Sequence, residues 1–171
     1  METLNSALTS EQILYGMANR NSSQIISVTS SKSQEHTILR DSILPGLLEN
    51  LSKNIHETYP QKFFESGIVL SKGAPIKETS SLACVTASEE THFSEIKAVL
   101  QSLLRIGFNI KCETKTLPSH VLFSQGRVAE IIVNKKTVGY IGELDSKVLE
   151  NFRIRTKVVG FEIKRSGLIF D

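Results

Sequence analysis

The chain has 171 residues, 40% of them hydrophobic and 22% charged, with no tryptophan and a formal net charge of +2. That length suffices for one domain, residues 1–171, with a real core, and the near balance of charge excludes a global field driving the protein onto nucleic acid or membrane. No apolar run is long enough to span a bilayer, and the opening METLNSALTS has neither the basic lead nor the continuous apolar stretch of a secretory signal.

In chain order, Thr3–Leu8 reads as a strand, and Ser10 caps a short helix over SEQILYGM. Gln24–Val28 is a β-branched strand and Thr29–Gln34 a serine-rich loop. LRDSILPGLLENLSKN then opens an amphipathic helix. Leu44, Leu47, Leu48, Leu51 and Ile55 form one stripe, which Ile43 widens. Pro45 is tolerable because it falls in the first turn, where its missing N–H is an orphan in any case. Asp41 or Ser42 can cap that end or complement its dipole. The expected interval Phe63–Leu70 (FFESGIVL) is a strand, Lys72–Ser80 a turn-rich loop and Leu82–Ala87 a strand. A second helix runs Phe93–Ile106, with Ser94 as cap and Gly107 as stop. Phe108–Thr116 and His120–Phe123 read as extended. Val128–Val133 and Val138–Leu144 pair as a hairpin around Asn134–Thr137, Asp145–Phe152 is a short helix and Val158–Ile163 a last strand. Strands outnumber helices and two main helices need a sheet to pack on, which makes the fold α+β with a mostly antiparallel sheet.

Motifs with known chemistry are absent: there is no Gly-rich phosphate loop, HExxH, CxxC pair or GxSxG elbow. His36, His56, His92 and His120 are too scattered for ligand-like spacing, and His56 suits a helix C-terminus. Cys84 and Cys112 sit in apparent strands among apolar neighbours and read as buried free thiols of a reducing cytosol. Basic residues cluster as Lys135-Lys136, as Arg153, Arg155 and Lys157, and as Lys164-Arg165. Solvated surface is the default for them, and a phosphate-contacting patch the sharper alternative. Arg40 and Asp41 form either a catalytic pair or, more often in such a lead, a cap with an ion pair. Glu65 either faces away from the core or is buried against an arginine such as Arg40. Glu143 and Glu162 are again single acids within apolar strands, GYIGEL and VGFEI.

The same residues carry a family resemblance. SQEHTILRDSILPGLLENLSKNIHETYPQKFFESGIVL resembles the start of the C-terminal, catalytic-like domain of the phenylalanyl-tRNA synthetase β subunit in its archaeal and eukaryotic form. Arg40, Ser42, Leu44, Pro45, Gly46, Leu47, Leu48, Asn54, Phe64, Glu65, Gly67 and Val69 fall on the family pattern. FSEIKAVLQSLL, QGRVAEIIVNKKTVGYIGELDSKVLENFRI and VVGFEIKRSGL are similar to later segments, so the likeness runs from about Leu4 to about Leu168. One departure is Asp145-Ser146 where the family usually has His-Pro; Asp is itself a good helix cap.

The resemblance implies a class II aminoacyl-tRNA synthetase-like fold, a central, mostly antiparallel sheet flanked by helices. In the catalytic α subunit the matching strand carries an arginine that grips the ATP phosphates, a role suited to a planar, doubly donating group. Here that position is Ser71, and the class's Gly-rich strand–helix segment ending in Glu-Arg is missing. The resemblance therefore implies no catalytic residue and no cofactor in this domain, with Arg40, Asp41, Ser42, Pro45, Glu65, Gly67, Glu143 and Glu162 structural. It implies a cytoplasmic assembly domain that packs on the α subunit in a heterotetramer of two α and two β chains, with a β–β contact. That holoenzyme charges tRNA with phenylalanine, using ATP and Mg²⁺. The chain is much shorter than a complete β subunit, which suggests an excised or truncated domain. Two other expectations stand beside this: a free-standing RNA-binding module using the basic clusters, and an independent enzyme on the same fold.

Overall fold

The computed structural model describes residues 1–21, 25–29 and 36–168. Six antiparallel strands make the main sheet: β4 (Gln61–Ser71), β5 (Lys77–Ala87), β6 (Glu113–Leu117), β7 (Phe123–Val133), β8 (Lys136–Leu144) and β9 (Val158–Lys164). Their spatial order is β4-β5-β9-β8-β7-β6, so β9, the last strand in the chain, closes the middle of the sheet. A small antiparallel sheet, β1 (Leu8–Thr9), β3 (Ile38–Leu39) and β2 (Ile26–Ser27), stands beside it. Helix α1 (Leu44–Lys53) covers one face of the main sheet and α2 (Phe93–Phe108) the other; α3 (Ser146–Asn151) joins β8 to β9.

The α1 stripe read from the sequence does the packing on one face, except for Ile55, which lies past the end of the helix and is exposed, and an apolar stripe on α2 does it on the other. Ile43, Leu44, Leu47, Leu48 and Leu51 are buried against Phe63, Val69, Val85 and Val158, while Ile96, Leu100 and Leu104 are buried against Ile131, Ile141, Phe161 and Ile163. Strand parity explains the split. Phe63, Glu65 and Val69 face α1, whereas Phe64 and Ile68 point the other way and are partly exposed. Among the described residues no helix is long and apolar enough to cross a membrane.

Several elements differ from expectation, each for a physical reason. The strand expected at Thr3–Leu8 shrinks to Leu8–Thr9, because residues 1–3 instead bond to the edge of β4: Met1 accepts from the Phe64 N–H and Thr3 donates to the Phe64 carbonyl. The helix after Ser10 is a single π-helical turn, Gln12–Gly16, and Ser10 Oγ does accept from the Ile13 N–H. Most of the serine-rich loop and Gln24 lie outside the described residues. Of the loop read over Lys72–Ser80, residues 77–80 belong to β5, paired with β4 from Ser71↔Lys77 onward. This end of the hairpin is largely exposed, so it needs no apolar alternation.

Helix α2 runs past Gly107, and Asn109 ends it in the left-handed conformation at φ 54°, with its N–H on the Arg105 carbonyl and that of Ile110 on Leu104. Asparagine is the residue after glycine best suited to that cap. The extended segment expected from Phe108 therefore begins only at Glu113, and Cys112 lies just outside it. The N-cap of α2 is His92, and Ser94 makes no capping bond. The β7–β8 hairpin turns on two residues, Asn134 and Lys135, both at positive φ, which matches the strand twist. Asp145 caps α3 by accepting from the Lys147 N–H at 2.9 Å.

Candidate functional site

The polar residues singled out in the sequence collect where α1 meets the sheet. Arg40, 5% exposed, sends Nη1 to Glu65 Oε1 at 2.6 Å and Nε to the Ile68 carbonyl at 3.0 Å. Glu65 is fully buried, and its other oxygen accepts from Asn5 Nδ2 at 2.6 Å. Gly67 lets the guanidinium pass, since a Cβ there would land on Arg40 Nη2. Nε and Nη1 of Arg40 and both oxygens of Glu65 thus have partners, the kind of pairing that lets a buried charge pair survive removal from water.

Glu162 forms a second knot. Its carboxylate accepts from the Ile43 and Leu44 N–H groups at 3.0–3.1 Å, from Ser42 Oγ at 2.7 Å and from Ser81 Oγ at 2.9 Å. This corrects the expectation that Asp41 or Ser42 caps α1. The orphan N–H groups of the first turn, beside Pro45, are taken by a carboxylate from β9, which also complements the helix dipole. Asp41 turns away to Arg20, with two bonds at 2.8 and 2.9 Å, and accepts from the Tyr15 hydroxyl at 3.1 Å. Burial first, and the Asp41 carboxylate second, push that hydroxyl up to about 12. Glu143 stands apart, paired with exposed Arg127 at 2.6 Å. The three isolated acids are thus in three separate environments and form no dyad.

Ser71 lies exposed at the last position of β4, its Oγ 3.5 Å from the Lys77 carbonyl oxygen. Burial pushes the Cys84 thiol up to about 11 and raises that of Cys112, so both are weak nucleophiles. His120 stacks against Tyr140 and Phe123 at 4.5 and 5.2 Å, and burial, then Arg20, lowers its pKa. Helix α1 stops at Lys53, three residues short of His56. Among the described residues no group of three His, Cys, Asp or Glu side chains could hold a metal ion.

Asn5, Arg20, Tyr15 and Ser81 were not foreseen; each works through a contact distant in sequence, and none carries a local signal. At the end of the sheet away from Ser71, a cleft of about 1320 Å³ opens beyond α1, lined by His56, Tyr59, Arg153, Arg155 and Lys157 and by several acids.

This sheet, with helices on both faces, is the fold of the class II aminoacyl-tRNA synthetases. It superposes on a pyrrolysyl tRNA synthetase from Desulfitobacterium hafniense with a TM-score of 0.76, over 98% of this chain and 61% of that one. Their sequences are 16% identical, so that likeness speaks for the fold alone. The sequence goes further: residues 1–165 match the family described as the phenylalanyl tRNA synthetase beta chain CLM domain, and the chain belongs to that family. It is 36% identical over 167 residues to the phenylalanine–tRNA ligase beta subunit of Methanocaldococcus jannaschii and 37% over 161 residues to that of Pyrococcus abyssi. Those matches cover 95% and 91% of this chain but only 30% and 28% of the two relatives.

Proposed function

We propose that residues 1–171 form the catalytic-like but non-catalytic domain of a phenylalanine–tRNA ligase β subunit, acting in assembly with the catalytic α subunit. The observation that carries this is the state of Ser71. A neutral hydroxyl, turned to its own hairpin, stands where the resemblance places the ATP-gripping arginine. On the same face of the β4–β5 hairpin, Val69 and Val85 are packed beneath α1. These residues do not fit a nucleoside triphosphate, and no chemical step is assigned to them. ATP and Mg²⁺ belong to the α subunit in this reading, within a cytoplasmic heterotetramer of two α and two β chains that has a β–β contact and takes tRNA.

The apolar stripe of α1 is taken up by the domain's own core, and its outer residues Glu49, Asn50, Ser52 and Lys53 are polar. A contact with α therefore falls on other surfaces. The test is to mix the chain with the cognate α subunit and follow size-exclusion with light scattering, with phenylalanine-dependent ATP–pyrophosphate exchange measured on the chain alone. A stable complex without exchange is expected. Exchange by the chain alone would overturn the reading of Ser71, and no complex would overturn the assembly role.

A further inference from the structure

One wall of the cleft beyond α1 is unlike the rest. Between α3 and β9 the burial alternates: Phe152, Ile154 and Val158 are buried, whereas Arg153, Arg155 and Lys157 are exposed. The three cations line the same cleft. Among the described residues none of the three has a carboxylate within ion-pair distance, while Arg20, Arg40 and Arg127 each have one.

Arg153 also sits in an unusual backbone conformation. Its φ is 58°, and it ends α3 in the left-handed conformation, with its N–H on the Glu150 carbonyl and the Ile154 N–H on that of Leu149. Glycine fills such a position without strain. This chain keeps an arginine there whose charge is paired with no acid of its own. Tyr59, 40% exposed, and His56 line the same cleft and offer ring faces.

We propose that this cleft binds single-stranded RNA without sequence preference, its phosphates on Arg153, Arg155 and Lys157 and a base on Tyr59. Cations that track a backbone beside a stacking aromatic are the general means of holding such strands. Glu89, Glu90 and Glu150 also line the cleft, while Glu143 is neutralised by Arg127. These acids confine the strand to the 153–157 wall and keep binding weak, so Glu89→Gln with Glu90→Gln strengthens it. The site is independent of the assembly reading.

The test is fluorescence anisotropy of a short labelled oligouridylate with the 171-residue chain across a salt series. Three phosphate contacts on a single strand give a slope of log affinity against log salt of about −2. Arg153→Gly removes one contact, weakens binding severalfold and flattens the slope by roughly 0.7. Its melting temperature stays level or rises, because glycine suits that backbone. Lys135→Gln with Lys136→Gln, on the β7–β8 turn, leaves binding unchanged. The proposal is overturned if the unaltered chain shows no salt-dependent binding, or if Arg153→Gly binds as well as the unaltered chain. It is also overturned if the turn variant loses as much, or if pyrophosphate at equal phosphate concentration displaces the RNA, which would mark a site for small phosphates alone.

Discussion

The two faces of the main sheet are built on different principles. Under α2 the contact is apolar throughout: Ile96, Leu100 and Leu104 lie on Ala129, Ile131, Ile141 and Phe161. Under α1 the apolar packing encloses charge, with Arg40 and Glu65 buried in it and Glu162 locked to the first turn of the helix. Hydrophobic contact is non-directional, so the α2 face constrains volume more than position. Hydrogen bonds to a carboxylate are directional, and the cost of leaving one unmade is large. The α1 face therefore holds its helix in one place and tolerates little change.

The largest break in that comparison is Arg40→Met. It strands the Glu65 carboxylate with one neutral donor, Asn5, in a site from which water is excluded. Removing one partner of a buried pair costs about 3–5 kcal/mol, and replacing both with apolar residues costs much less. Urea unfolding of Arg40→Met against the double variant Arg40→Met, Glu65→Leu measures the difference. Equal losses in the two would mean that the pair's charge is not what holds this corner.

Next comes Glu162→Ala, which leaves the Ile43 and Leu44 N–H groups and two serine hydroxyls without their acceptor. A loss of about 2–3 kcal/mol is expected from a missing cap to a charged acceptor. Glu162→Gln keeps one acceptor oxygen and falls between. If Ala and Gln lose equally little in urea, the helix is positioned by its leucines alone. On the other face, Leu100→Met at a fully buried position conserves volume and is expected to cost under about 1.5 kcal/mol. A loss as large as that of Glu162→Ala would erase the contrast between the faces.

The apolar framework was readable from the sequence because its rules are local. The stripes of α1 and α2 and the β7–β8 hairpin all follow from periods of 3.6 and 2. Glu65 shows where that reading stopped. Its parity with Phe63 and Val69 places it on the core face, yet the sequence left its direction open and offered Arg40 only as one partner. The cap of α1 was out of reach altogether. Local rules point to Asp41 or Ser42, whereas the acceptor comes from Glu162, more than a hundred residues later. A tertiary carboxylate leaves no periodic signature near the helix it caps. The cleft is similar: the cluster Arg153, Arg155 and Lys157 stands out in the sequence, but nothing there brings Tyr59 and His56 to it.

The smallest effect is expected where a charge pair crosses between the edge strand and the α2 face. Lys62 Nζ donates to Glu95 Oε1 at 2.8 Å, and both side chains remain substantially exposed, at 54% and 38%. The Lys62 hydrogen bond holds the Glu95 carboxyl below its ordinary range; burial opposes this and the Thr91 hydroxyl adds to it. A folded pKa below the unfolded one means that the pair stabilises the protein above the ordinary glutamate range. That contribution is lost as the pH falls through the folded value. Solvent and salt screen so exposed a pair, which places it far below Arg40–Glu65. Lys62→Met should therefore cost a small amount of stability near neutral pH and flatten the acid limb of a stability–pH curve by the same amount, so that the two proteins converge in acid, and high salt should remove the difference. A loss near neutral pH comparable to that of Arg40→Met would mean that this exposed pair anchors α2 as firmly as the buried pair anchors the α1 face, and that charge, not burial, sets the order of these effects.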